Sequence, residues 1–399
     1  MNSIINNVFL KFKDNEKFIK FVIFSSFIFP YFLFYLLEYD ININVERNHF
    51  LFIISFYILQ MNLMKIIPSD SVYTEYHENY VNKYIYIKNN GKYCALLTFI
   101  FFSLGYFFEF MSKTFIINNF KELIIIKLFL CLIYSTYIYL KNNSIKTIKW
   151  NNFFYGNETF PVLLNTNLKV LNYYRFGMTL WLIYIYSFMM AQYEINGYVT
   201  YSLLTSTFLQ FAYICKYFLL EEEYNSSHMI MNKSGWLTTY ACFLYIPMVN
   251  TLASHYFSIN AYDVYPLYFY IIIFILGMYF IYLNYKLEMD KKIFKESKGQ
   301  YIYKNQKAIY ISSGNQRLLM SGLWGKIRKP NYLTQILISF FICCMHGTDS
   351  IIPYLYFIFL FILVIFKIYV EEYRYLNKFP NLYKRYIELV KYKIIPYIY

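Results

Sequence analysis

Charge is scarce in this chain of 399 residues: 15% of the residues are charged and 58% are hydrophobic. That balance excludes an ordinary soluble globular domain. There are only 12 glycines and 9 prolines, and neither a flexible linker nor a fixed-period repeat is visible. The six cysteines are Cys94, Cys131, Cys215, Cys242, Cys343 and Cys344. They form no CxxC pair and nearly all sit in or beside apolar runs, which argues against a disulfide framework. The five histidines build no HExxH and no close cluster, so no metal is expected. No strand leads into a GxGxxG turn, so any nucleotide site must use an architecture other than a Rossmann unit. A cleavable signal peptide is not expected either, because segment 18–38 is too long and lacks a cleavage pattern.

Long apolar runs are abundant. Candidate spans cover roughly 18–38, 50–67, 94–112, 121–140, 176–198, 200–220, 236–257, 264–284, 333–346 and 351–370. Most approach or exceed the length needed to cross a bilayer. The ninth, YLTQILISFFICCM, is short. The expected fold is an all-α polytopic membrane protein with about ten transmembrane helices. Residues 1–150 are read as N-terminal transmembrane helices and 151–399 as a membrane core with cofactor-binding loops and a tail.

The net charge is +14, and its placement is informative. Connector 285–332 holds eleven Lys or Arg against three acids, and the tail 371–399 holds six against three. The number of spans between them puts these two regions and connector 141–175 on one side, and the positive-inside rule makes that side cytosolic. Nucleic-acid binding would be another use for basic charge, but no nucleic-acid module accompanies it. Membrane lipids are the expected surface partner.

Several polar patches carry chemical possibilities. In SGLWGKIRKPNYLTQ, Ser321–Gln335, Gly322 and Gly325 permit a close turn. Trp324 can anchor at the interface or stack on a flat ring. Lys326, Arg328 and Lys329 can meet phosphate or anionic lipid. Pro330 biases Lys329 away from helix, and Asn331 and Tyr332 open the ninth span. Upstream, Lys291 and Lys295 are four apart on one helical face and can grip one anion together. Glu371 and Glu372 end the last span beside Arg374, as a proton relay or a surface ion pair. The acids Glu221, Glu222 and Glu223 follow another span, where they can face the side opposite to the basic loops.

Together these patches resemble the sterol reductase family of the endoplasmic reticulum, which includes sterol C14-reductases, 7-dehydrocholesterol reductase and the membrane domain of the lamin B receptor. The resemblance covers about 150–399. The family pattern LLxSGWWGxxRHxNYxGD reads LLMSGLWGKIRKPNYLTQ from Leu318. It keeps Gly322, Trp324, Gly325, Arg328, Asn331 and Tyr332. The pattern NxQKxxFR reads EMDKKIFK from Glu288, with Lys291 and Phe294 kept and Lys295 in place of Arg. The pattern LDxKxFxxxRPGLxxW finds Leu168, Lys169, Arg175, Gly177 and Trp181 at its spacing, and VPYRIxPYIY reads VKYKIIPYIY over Val390–Tyr399.

The resemblance implies NADPH-dependent reduction of a sterol ring double bond, with C14=C15 as the first expectation. The sterol would enter from the bilayer and the cofactor from the cytosol. It assigns the cofactor to Lys291, Lys295, Arg328, Trp324, Asn331 and Tyr332, with Arg374 and Arg385 as helpers. Arg328 ranks first for phosphate. It assigns the proton to Glu372 or Glu371, with Tyr256 or Tyr373 as a relay. Departures bear on activity: Cys242, Tyr245 and Asn250 stand where the family has an acid, a Trp and a pocket Tyr, and Gln335 replaces an acid. The other readings are a non-catalytic sterol-binding membrane protein, a C7- or C24-reductase, and an isoprenylcysteine carboxyl methyltransferase.

Single cysteines at positions 324 and 390 are expected to react with impermeant thiol reagents from the cytosolic side of intact microsomes. Labelling from opposite faces would remove the basis for a shared site.

Overall fold

The computed structural model describes residues 15–37, 39, 42–69, 71–78, 81–142, 149–225, 232–314, 316–348 and 350–395. The Pro396–Tyr399 ending lies outside them. The chain packs as two compact units, Met1–Tyr262 and Asp263–Tyr399. That division falls inside the stretch 151–399 that the sequence pattern treats as one core.

In the first unit, α1 (Glu16–Leu36) starts where the Asn15 side chain accepts from the backbone N–H groups of Lys17 and Phe18, satisfying donors that a helix start leaves open. α1 buries Ile19, Ile23, Leu33 and Phe34, while Phe21, Phe24, Ile28 and Phe32 stay exposed. A helix with apolar residues all round suits a lipid environment. α2 (Arg47–Ile66) follows, then a hairpin of β1 (Ser71–Glu78) and β2 (Val81–Lys88). Beyond it lie α3 (Gly91–Phe107), α4 (Phe120–Asn142), α5 (Thr179–Asn196) and α6 (Tyr201–Leu219).

Among the described residues, four helices are long and apolar enough to cross a membrane: Glu16–Leu36, Arg47–Ile66, Phe120–Lys141 and Leu267–Glu296. These correspond to four of the ten expected spans. The other expected spans are shorter, more polar or interrupted. α3 has 17 residues. α6 buries Ser202, Thr205, Ser206, Thr207 and Gln210. The expected span 236–257 is broken into Trp236–Tyr240, a π-helical turn Ala241–Tyr245, and the short helices Ile246–Val249 and Leu252–Ile259. Pro247 lies in this stretch and supplies no backbone N–H to the helical ladder.

The interior of the first unit is organised by charge as well as by apolar packing. A π-helical segment, Leu171–Met178, carries Arg175, whose side chain is fully buried against a Glu221 that is nearly so. Arg175 Nη1 donates to Glu221 Oε1 at 2.6 Å, and Nη2 donates to the Lys88 carbonyl at 3.0 Å and to Asn90 Oδ1 at 2.8 Å. The other oxygen of Glu221 accepts from Gly91 N at 2.8 Å. A Cβ at Gly91 would overlap both charged groups, so glycine is required there by close approach. Glu221 is therefore an interior ion-pair partner rather than a surface acid. At Gly177 an added Cβ would lie 2.7 Å from the Cys242 carbonyl oxygen, so this motif glycine lets two helical segments touch. Trp181 Nε1 donates to Gln210 Oε1 at 2.8 Å, and Gln210 donates onward to Ser254 at 2.6 Å.

Removing one partner of such a pair strands a buried charge, which costs about 3–5 kcal/mol, whereas an apolar replacement of both is far less harmful. Arg175→Met is accordingly expected to lower the detergent melting midpoint sharply. The Arg175→Met/Glu221→Met double variant should recover most of the loss. Equal losses in the single and double variants would mean that the pair is not the source.

Candidate active site

The second unit begins with the long helix α7 (Leu267–Glu296). Its first five turns expose Tyr268, Ile271, Ile272, Ile275, Tyr279 and Tyr282. Its last turns bury Asn284, Leu287, Glu288, Asp290 and Phe294. A hairpin of β3 (Tyr310–Ser313) and β4 (Gln316–Leu319) precedes a 3₁₀ turn at Gly322–Gly325. Then come α8 (Pro330–Cys343), α9 (Leu355–Lys378) and α10 (Pro380–Leu389).

The opening motif makes a compact turn. Gly322 has φ +61, and a Cβ there would strike Tyr303. Trp324 is 7% exposed and packs in one cluster with Leu287, Phe294, Ala308 and Leu319. The ammonium of Lys291 lies 5.7 Å from the centroid of the Trp324 ring. Lys291 and Lys295 are both exposed, one turn apart on α7.

After the turn the chain pairs with its own tail. Arg328 N donates to the Tyr392 carbonyl at 2.9 Å and Lys329 N to the Lys393 carbonyl at 3.0 Å. The Arg328 side chain is 5% exposed. Its Nε donates to Glu372 Oε1 at 2.9 Å, and its Nη1 donates to the carbonyls of Val390 and Lys391 at 3.0 and 2.9 Å. Lys393 Nζ stands 3.5 Å from Glu372 Oε2. Tyr386, on α10, donates to the Trp324 carbonyl at 3.2 Å. Arg328, ranked first for phosphate, thus clasps the tail to the start of α8 and the end of α9.

The neighbouring carboxylate has different partners. Lys329 Nζ and the Tyr332 hydroxyl both donate to Glu371, each at 2.5 Å. Lys367, one turn before Glu371 on α9, places its ammonium 5.1 Å from the Tyr332 ring centroid. Burial by itself would raise the Glu371 pKa, but Lys329 and Lys367 together with the two hydrogen bonds hold it below the usual carboxylate range. Tyr301, just past the end of α7, donates to Asp290 at 2.7 Å. Its phenol is pushed up to about 12, first by burial and then by Asp290.

Asn331 donates through Nδ2 to Glu288 at 3.1 Å. Its backbone carbonyl accepts from Asn284 Nδ2 at 2.8 Å, and the same Nδ2 reaches Thr334 at 2.7 Å. The second unit thus brings Lys291 to Trp324, Arg328 to Glu372, and Tyr332 to Glu371. Arg374 and Arg385 are exposed on α9 and α10. Tyr256 belongs to the first unit. Asn250 is buried there, with its Oδ1 lacking a hydrogen-bond partner.

Glu288, Asn284, Lys367 and Lys393 were not singled out from sequence. Two of them carry a readable signal. Glu288 is three residues from Lys291 on one helical face. Lys367 is a lone cation inside an apolar run, which is a functional pointer by default.

A dinucleotide phosphate needs cations for phosphate, an aromatic surface and polar groups for its carboxamide. Exposed Lys291 and Lys295 meet the first need, and the Trp324 ring, 7% exposed, stands beside Lys291. Trp324 Nε1 and Asn331 Oδ1 are buried polar atoms without a hydrogen-bond partner, and such atoms are rare unless a ligand or water satisfies them. The residues present fit the group.

A family model described as "Ergosterol biosynthesis ERG4/ERG24 family" matches residues 2–399. The chain belongs to this family. Among ERG4/ERG24-related proteins, it is 30% identical over 258 residues to the 7-dehydrocholesterol reductase of Arabidopsis thaliana. That match covers 62% of this chain and 60% of the relative. It is 27% identical to a probable 7-dehydrocholesterol reductase of Acanthamoeba polyphaga mimivirus, over 79% of this chain and 73% of the relative. It is 29% identical to the Delta(14)-sterol reductase ERG24 of Candida albicans, over 62% of this chain and 54% of the relative. The aligned part thus spans less than two thirds of the Arabidopsis and Candida proteins. The ERG4/ERG24 assignment and the apolar helices make this a multi-pass membrane protein of a sterol reductase family.

Because the folded pKa of Glu371 is depressed, its ion pair and hydrogen bonds contribute fully above the ordinary glutamate value of about 4.3. The contribution is lost as pH falls from there toward the folded value. Melting midpoints in detergent are expected to fall more steeply between about pH 5 and pH 2 for the native chain than for Glu371→Gln. Parallel curves would show that Glu371 titrates in the folded state as it does in the unfolded one.

Proposed function

We propose that this chain is an NADPH-dependent reductase of a sterol ring double bond in the endoplasmic reticulum membrane. The observation that carries the reading is the assembly of motif residues in the second unit. Lys291, Trp324, Asn331, Tyr332 and Glu371 come together around the end of α7 and the start of α8. In this reading about ten helices embed the protein, with α7's charged end and the tail on the cytosolic side.

Lys291 and Lys295 bind the phosphates of the dinucleotide, with Arg374 and Arg385 as exposed helpers. Trp324 offers a flat surface to stack on, and Asn331 orients the reacting ring. NADPH held there supplies the two electrons of the reduction. Tyr332 handles the proton: Glu371 has two donors on it and a depressed pKa, so it stays ionised and holds the Tyr332 hydroxyl in place instead of delivering a proton itself. The proton-bearing atom of that pair is the Tyr332 hydroxyl, 2.5 Å from Glu371. Glu372 is tied to Arg328 and Lys393, so we give it the positioning of the tail in place of proton delivery. A reduction also requires a dry cavity, so that the reacting centre meets these groups rather than bulk water.

The bond reduced follows from relatives only as a class. The Candida relative is named for the Δ14 bond and the Arabidopsis and mimivirus relatives for 7-dehydrocholesterol. The C14=C15 bond remains the first reading, and the 7-dehydrocholesterol reductase names favour C7 as the second.

Membranes containing the protein, supplied with NADPH and in turn an 8,14-diene, a 5,7-diene and a side-chain alkene sterol, decide the matter. One ring diene is expected to gain two hydrogens, read by product mass and double-bond position. Loss of either reaction in Tyr332→Phe with sterol binding retained supports the proton assignment. Sterol binding with no product from any of the three would make the protein a binder instead.

A further inference from the structure

Glu288 has no role in the site as read from sequence, yet it touches the residue that orients the reacting ring. It is 8% exposed, and Asn331 is 7% exposed. An asparagine amide carries a donor end and an acceptor end, and turning it over exchanges them at little intrinsic cost. A carboxylate only accepts. Glu288 therefore dictates which end of Asn331 faces it: Nδ2, at 3.1 Å. The backbone of Asn331 is held separately, by Asn284, so the side chain has one remaining freedom and Glu288 removes it.

The consequence lies at the other end of the amide. Asn331 Oδ1 is buried without a hydrogen-bond partner, and a buried acceptor left unpaired is unfavourable. Trp324 Nε1 is a buried donor in the same condition. Glu288 and Lys291 are three residues apart on α7, hence neighbours on one helical face. Asn331 meets that face at Glu288 and Trp324 meets it at Lys291. The unpaired acceptor and the unpaired donor thus belong to two residues that pack on neighbouring positions of α7. A primary carboxamide carries both complementary groups.

We propose that Glu288 is a positioning residue that fixes Asn331 with its carbonyl oxygen turned away from Glu288, so that the site requires an N–H donor on the nicotinamide's carboxamide. This rests on the dinucleotide reading above and adds a selectivity to it. A ring bearing a methyl ketone in place of the carboxamide keeps an acceptor but offers no N–H. The Glu288→Gln side chain, isosteric but able to donate as well as accept, would let Asn331 take either direction.

The test is binding, read by equilibrium dialysis on the full chain in detergent. NADPH is compared with its reduced 3-acetylpyridine analogue. The native chain is expected to prefer NADPH by about tenfold, the worth of one hydrogen bond to a buried acceptor. In Glu288→Gln the preference should shrink to within about twofold, because a turned Asn331 can donate to the ketone. Glu288→Ala, which leaves space rather than strain, reads the same ratio should the Gln form not fold. Equal affinity of the native chain for the two dinucleotides overturns the inference and leaves the cofactor reading standing. So does an undiminished preference in the folded Glu288 variants. A native chain that binds neither dinucleotide overturns both.

Discussion

A guanidinium buried between two helices and a tail is the constraint on which the second unit depends. Arg328 is 5% exposed, and it makes one bond to Glu372 and two to the carbonyls of Val390 and Lys391. Burying a cation is costly unless its donors are paired, so the chain around Arg328 has to adopt this one arrangement. The arrangement brings the end of α9 to the start of α8. It therefore also brings Glu371, one residue before Glu372, to Lys329 and Tyr332, one and four residues after Arg328. The clasp and the candidate proton pair are consecutive steps of one structure.

The first unit repeats the device with different residues. Arg175 and Glu221 are almost wholly buried, and they make further hydrogen bonds to Lys88, Asn90 and Gly91. In both units an Arg from a motif ties distant chain segments together through backbone groups as well as through a carboxylate. Arg is suited to this because its planar fork holds several donors in fixed directions and it stays charged when buried. Charge is rare in this sequence, and where it enters the interior it specifies which loops meet.

The two carboxylates 371 and 372 are adjacent in sequence and indistinguishable as residue types, but successive residues of a helix point about a hundred degrees apart. One faces Arg328 and Lys393, the other Lys329, Tyr332 and Lys367. The first has the environment of a structural anchor. The second has a phenol within hydrogen-bond reach and a depressed pKa. Their division of labour comes from helix geometry alone.

Apolar runs and the spacing of SG-WG, R-x-x-NY and K-x-x-F-K made the membrane class and the set of candidate residues legible without coordinates, because bilayer thickness and turn chemistry act on local sequence. Gly322 was legible as a close turn for the same reason, though not what approached it, whereas Gly177 was legible only as a matched position of the family pattern. Four things were decided by tertiary packing. The run 236–257 is interrupted, since whether a helix continues depends on its neighbours. Glu221 is an interior partner of Arg175. Arg328 spends its donors on the tail. Glu288 turns Asn331. Each of the last three is a contact between residues far apart in the chain, from 43 positions for Asn331 and Glu288 to 63 for Arg328 and Lys391, and hydrogen-bond partners at that separation leave no trace in local periodicity.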